Sequence, residues 1–200
     1  MTVTGTTSTY RAENKDLHWK FPAVPSVSEE YIIKNVRKMV LSSLLAALPA
    51  ICAWISLPIP PVAFTLQTFA VLLTLGILGG RWGTGSILIY LLLGMIGLPV
   101  FAGFQNGAAA LPGPTGGFLW GFLAGGLVYW VLEKLGRIPA MIAAQLTTYI
   151  CGCLWFSFYT GSIGMVAAIL SCVIPYLIPD AFKLTLAYML STRICKQYRM

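Results

Sequence analysis

The sequence predicts an all-α membrane protein with six transmembrane helices, both termini cytoplasmic, and a short extra helix before the last crossing. Three observations carry that prediction. First, 58% of the 200 residues are hydrophobic and only 10% are charged, whereas about a quarter of a soluble domain is charged. Second, no Asp, Glu, Lys or Arg occurs in 39–80, 82–132 or 138–179. Each of these runs exceeds the roughly 20 apolar residues that cross a bilayer. Third, the cations between these runs fall in alternate connections, as the positive-inside rule requires.

The chain opens with "MTVTGTTSTYRAENKDLHWK". This stretch is polar and has no apolar core after its charges, so it does not read as a signal peptide. Residues 1–35 are expected to form a polar cytoplasmic tail, flexible to about Ser26, and 36–200 the transmembrane domain. His18, the single histidine, lies in the tail and is expected to be idle. Ser26 and Glu29 have capping-box spacing and would open a short amphipathic helix.

The first predicted helix spans 36–57 and stops at "SLPIPP", whose prolines lack backbone donors. The second covers 62–80, "GGRWGTG" forms a tight turn, and a short third helix covers 86–97. The long uncharged loop "LPVFAGFQNGAAALPGPTGG" follows. The fourth helix covers 118–132 and is closed by "EKLGR"; the fifth covers 139–158. Residues 165–174 are apolar but too few to span, so they are expected to lie in the outer leaflet. The sixth helix is placed at 179–196, because proline is tolerated at a first helical position and costs about 3 kcal/mol inside.

Lys34, Arg37 and Lys38 lie before or at the start of the first helix. Arg81 lies between the second and third, Lys134 and Arg137 between the fourth and fifth, and Arg193, Lys196 and Arg199 at or after the end of the sixth. The other three connections carry no cation. The net charge of +7 therefore reads as membrane topology, with no nucleic-acid partner expected. The five cysteines all lie in or beside apolar stretches, and Cys151 and Cys153 have no second pair to complete a zinc site. They read as small packing residues, and no metal is expected.

Small residues recur four apart at Gly117, Gly121 and Gly125, and at Ser42, Ala46 and Ala50. Such stripes let helices approach closely in lipid. They fit packing within one bundle or docking to another membrane protein. There is no HExxH, GxSxG or phosphate-loop lysine, and no histidine outside the tail to act as a base. A membrane enzyme is thus weakly supported, and active transport would draw its energy from elsewhere.

What remains is a polar set on the outer side, anchored by Asp180 and Lys183 in "YLIPDAFKLTLAYML". Charges inside a membrane segment cost at least about 2.5 to 3.5 kcal/mol each. They persist as a structural ion pair, for which the i,i+3 spacing is suitable, or as a ligand site. In the latter Asp180 would accept N–H donors and Lys183 would meet an anion, both in the first turn of their helix, where its N-terminal field favours negative charge. Thr65, Gln67, Gln105, Asn106, Gln145, Tyr149 and Trp155 are candidates to join them. With Phe101 and Phe104 they would make a mostly apolar pocket with a few placed polar groups, and the loop at 99–116 would serve as its lid.

The segments "LPIPPVAFTLQTFAVLLTLGILGGRWG", "LIYLLLGMIGLPVFAG", "GPTGGFLWGF" and "IPDAFKLTLAYML" resemble the BioY family, the biotin-binding substrate components of energy-coupling factor (ECF) transporters. The likeness runs in order from about 39 to 193. It implies six helices, a biotin pocket near the outer surface of the bacterial cell membrane, and closure by the loops after the first and third helices. It implies as partners, besides biotin and lipid, a transmembrane coupling protein and two ATPase subunits, which alone would use ATP; the chain itself would need no cofactor. The family's aspartate and lysine match Asp180 and Lys183, its loop polar residue is placed at Asn106, and its coupling contact at Ser42, Ala46 and Ala50. Asp180 would take the ureido N–H groups of biotin, and Lys183 either the ligand carboxylate or the Asp180 charge. The alternative is a stand-alone transporter or channel for another small solute.

Overall fold

The computed structural model describes residues 29–57, 63–161 and 164–198. The tail at 1–26, His18, Ser26, Pro58, Pro60, Pro61 and Arg199 lie outside the described residues. The chain divides between Asn35 and Val36 into two compact units.

Helix α1 is Glu29–Trp54, so it starts before and ends before the predicted 36–57. The chain beyond it is extended. Strand β1, Ser56–Leu57, pairs antiparallel with β2, Phe64–Thr65, a two-residue ladder that the helical periodicity did not announce.

Helix α2, Gln67–Met95, contains one non-helical residue, Gly79, at φ 76° and ψ 177°. That conformation is essentially restricted to glycine. The chain reverses there. The Gln67 side chain donates to the Tyr90 hydroxyl over 2.7 Å, although in a continuous helix 23 residues would separate them by about 34 Å. The two predicted helices are therefore the arms of a hairpin, but the turn is one residue and not the seven of "GGRWGTG". It is so short because the second arm is capped at once: the Gly80 N–H donates to the Glu133 carboxylate over 2.6 Å.

After α2, α3 is a single turn at Gly107–Ala110 and α4 is Gly116–Leu132. Helix α5, Arg137–Thr160, runs two residues beyond its predicted range at each end. Helix α6, Met165–Cys172, is the short extra helix. Helix α7, Ile174–Tyr198, starts five residues earlier than predicted and carries Pro179 inside. The reason is Pro175. It occupies the first turn, where no N–H is needed, and starts the helix there, so Pro179 forfeits one internal bond. Asp180 and Lys183 consequently lie beyond the first turn, where the helix-end field has decayed.

Four of these helices are long and apolar enough to cross a membrane, and the α6–α7 pair, bent by 49°, makes up to five. The core is built from α2, α4, α5 and α7. Leu44, Val131, Phe158, Ile178 and Phe182 point outward, each at least 70% exposed, part of an apolar surface of the kind that lipid covers.

Both small-residue stripes are used within the chain. A Cβ at Gly121 or Gly125 would press on α5 backbone at Thr148 and Ala144, and the Thr148 hydroxyl donates to the Gly121 carbonyl over 3.2 Å. On α1, Ser42, Ala46 and Ala50 are buried. The Ser86 hydroxyl donates to the Ser42 carbonyl over 2.9 Å, and Thr74 to Leu45 over 3.4 Å. The face that carries Ser42, Ala46 and Ala50 is thus turned inward, and two hydroxyls of α2 reach the backbone there.

Gly79→Ala is expected to lose roughly 1 to 3 kcal/mol, the cost of forcing a side chain into that backbone region, seen as a lower thermal midpoint in detergent. Gly85→Ala, where an added Cβ meets nothing within 4 Å, is expected to hold or raise the midpoint.

Candidate functional site

Helices α4, α5 and α7 and the start of α2 enclose a cavity of about 700 Å³, open solvent at its mouth included. Strand β2 and the loop between α2 and α4 complete its wall. Phe101, Phe118, Leu119, Phe122 and Tyr176 make it largely apolar, and Asp180 and Lys183 are the charged residues of its wall.

Asp180 is 7% exposed and receives three donors. Lys183 Nζ reaches its Oδ1 over 2.8 Å. The Tyr149 hydroxyl and the Gln145 amide reach its Oδ2 over 2.6 and 3.3 Å. Spacing explains the set: Asp180 and Lys183 are three apart on α7, and Gln145 and Tyr149 are four apart on the face of α5 that meets them. A carboxylate has about four acceptor positions, so Asp180 has room for one further N–H or O–H.

Lys183, 6% exposed, has more to do than neutralise Asp180. Its ammonium donates to the Thr65 carbonyl over 2.7 Å and sits 3.8 Å from the centre of the Phe64 ring. Phe64 in turn stacks on Tyr176 at 6.0 Å. One cation thereby fastens β2 to α7.

The loop over the cavity is fastened as well. The Trp54 indole donates to the Pro99 carbonyl over 2.9 Å and stacks on Phe104 at 5.2 Å. Phe104 adopts a positive φ of 59°, and its ring faces Trp54 at the outside, 62% exposed. Tyr90, held by Gln67, donates to the Val100 carbonyl over 3.1 Å and meets Phe101 edge to face. The Trp155 indole donates to the Gly113 carbonyl over 2.9 Å.

Of the residues singled out in the sequence, the structure brings Thr65, Gln67, Phe101, Gln105, Gln145, Tyr149, Asp180 and Lys183 to the cavity wall. Asn106 and Trp155 are not part of that wall. Asn106 is exposed, and its side chain caps α3 by accepting the Ala109 N–H over 3.2 Å; a residue before "GAAA" is well placed for capping. Trp155 staples the loop. Sequence reasoning missed Phe64, Phe118 and Tyr176. Tyr176 carried a usable signal, since it is four residues before Asp180 and shares its face once α7 is started at Ile174. Among the described residues, no group of three His, Cys, Asp or Glu side chains gathers to hold a metal.

The sequence model described as the BioY family matches residues 23–200. A relative from Thermotoga maritima, named biotin transporter BioY, is 38% identical over 166 residues, covering 80% of this chain and 97% of that protein. A probable biotin transporter BioY from Pyrococcus horikoshii is 35% identical, with the same coverage. Biotin transporter BioY2 of Lactococcus lactis is 44% identical over 61% of this chain and 70% of its own. Among solved structures, the S-component for biotin from an ECF-type ABC transporter superposes with a TM-score of 0.76 at 26% identity, covering 82% of this chain and 93% of that one.

The buried pair makes a demand of its own, whatever the ligand. Lys183→Met leaves the Asp180 charge uncompensated and is expected to cost about 3 kcal/mol, the low end for breaking a buried pair. Lys183→Met with Asp180→Leu is expected to recover most of it. Thermal midpoints of the ligand-free protein check both.

Proposed function

This chain belongs to the BioY family, and we propose that it is the biotin-binding membrane component of an ATP-driven ECF-type uptake transporter. The observation that carries the reading is the remaining acceptor position of Asp180 in an aromatic-walled cavity. Biotin has a ureido ring with two N–H donors and one carbonyl, an apolar thiophane ring and chain, and a terminal carboxylate. Asp180 takes one ureido N–H without releasing Tyr149, Gln145 or Lys183. Gln67, Gln105 and Thr65 are at hand for the rest of the ureido group, and the rings of Phe101, Phe118 and Phe122 receive the thiophane and chain. Lys183 acts first as the counterion that keeps Asp180 an acceptor; its contact with Thr65 supports this over a primary role at the ligand carboxylate.

The chain sits in the bacterial cell membrane with six crossings: α1, the two arms of α2, α4, α5, and α6–α7 as one bent span. Both termini are cytoplasmic, and the cavity opens outward. A coupling protein and two ATPase subunits supply the energy, and the chain carries no cofactor of its own. With Ser42, Ala46 and Ala50 buried within the chain, the coupling protein docks on the outer face of α1, where the small residues Ser43 and Ala47 are exposed.

Asp180→Asn is expected to weaken biotin binding about tenfold to a hundredfold, the worth of one charged hydrogen bond. Titration of the purified protein measures it, and wild-type affinity in the variant would sink the assignment. Ala47→Leu is expected to leave biotin binding unchanged while abolishing biotin uptake by cells that carry the coupling module. Uptake at the wild-type rate would place the docking face elsewhere.

A further inference from the structure

Two aromatic panels of the cavity, Phe101 and Phe118, rest in notches made by glycines. At Gly94, on the second arm of α2, an added Cβ would overlap the Phe101 ring, and at Gly152, on α5, the Phe118 ring. Other crowded glycines differ in kind. A Cβ at Gly80 would meet the Trp130 backbone, at Gly117 the Trp155 Cβ and Cys151 carbonyl, at Gly125 the Ala144 carbonyl. None of those can yield without moving a helix. At Gly76 the obstacles are Met141 and Ser191, neither of which lines the cavity. Among the described residues, only at Gly94 and Gly152 are all the nearest obstructing atoms ring atoms of a cavity-lining side chain. Such a ring turns away about its own side-chain torsions, and the empty space beside it is the cavity.

We infer that Gly94 and Gly152 set the width of the ligand cavity, and with it the bulk of the ring system it admits, by letting Phe101 and Phe118 lie back against α2 and α5. Neither glycine lines the cavity itself, so both act through their rings and are positioning residues for specificity. A methyl group at either drives the ring inward and selects for a slimmer ligand. The inference rests on biotin as the ligand, because its fused bicycle is the bulk being measured.

The test compares biotin with desthiobiotin, which keeps the ureido ring and chain but lacks the sulfur bridge. Gly152→Ala is expected to weaken biotin about tenfold or more, the usual weight of one methylene in an apolar pocket. It should weaken desthiobiotin less, so the ratio of the two affinities moves toward desthiobiotin. Gly94→Ala is expected to act the same way. Adding Phe118→Leu to Gly152→Ala frees the lost space and should return the ratio to the wild-type value, which a merely misfolded variant would not do. A ratio unmoved by both alanine variants, or a double variant with no recovery, overturns the inference. A wild-type chain that binds neither compound instead overturns the assignment of biotin.

Discussion

A carboxylate buried in a membrane protein has to be answered on every side, and Asp180 is answered from three directions. Tyr149 and Gln145 reach it from α5, Lys183 from its own helix, and through Lys183 it is tied to the Thr65 carbonyl on β2. The desolvation cost of such a charge is several kcal/mol, so removing any one donor is felt by the others. This makes the site also a structural joint. The rotation of α7 on α5 and the position of the β1–β2 ladder follow from the same few bonds that leave one acceptor position open to a ligand.

Around that joint, the bundle is close-packed through glycine. Helices α4 and α5 approach at Gly121 and Gly125 until the Thr148 hydroxyl reaches across to the Gly121 carbonyl. The hairpin of α2 turns on Gly79 and is capped by Glu133, just past the end of α4. Large apolar residues lie both inside, as Leu75, Ile87, Leu91, Phe122 and Met141 do, and outside, as Leu44 and Phe182 do. Hydrophobicity alone therefore does not tell the two apart; close approach at small residues and a few hydrogen bonds set which faces meet, as expected in lipid, where burial of apolar surface gives helices little reason to associate.

Much of this was legible in the sequence for physical reasons. Three charge-free runs can only be membrane-embedded, α4 and α5 are bounded by charges and glycine, and a membrane-placed Asp–Lys pair three apart announces itself by its cost. What escaped depended on neighbours. The cost of an interior proline argued for a helix start at Pro179, but Pro175 had already opened the helix, and with that shift Tyr176 was lost from view. Spacing of four put Ser42, Ala46 and Ala50 on one face of α1 without saying which helix it meets; Ser43 and Ala47 satisfy the same spacing on the exposed side. Asn106 and Trp155 were read as candidates for the pocket, and in the structure their side chains meet a helix end and a loop carbonyl. Polar residues near a site look alike in sequence whether they face a ligand or hold the wall behind it.

The loop above the cavity is already pinned, by Trp54 to Pro99, Tyr90 to Val100 and Trp155 to Gly113. The entropy of ordering it is therefore lost when the chain folds and not when a ligand arrives, which leaves more of the contact energy as net affinity. Where a staple has to open for a ligand to pass, arrival and departure are both slowed, and affinity is expressed as residence time. For a component that binds a ligand and passes it on, long retention matters more than rapid exchange.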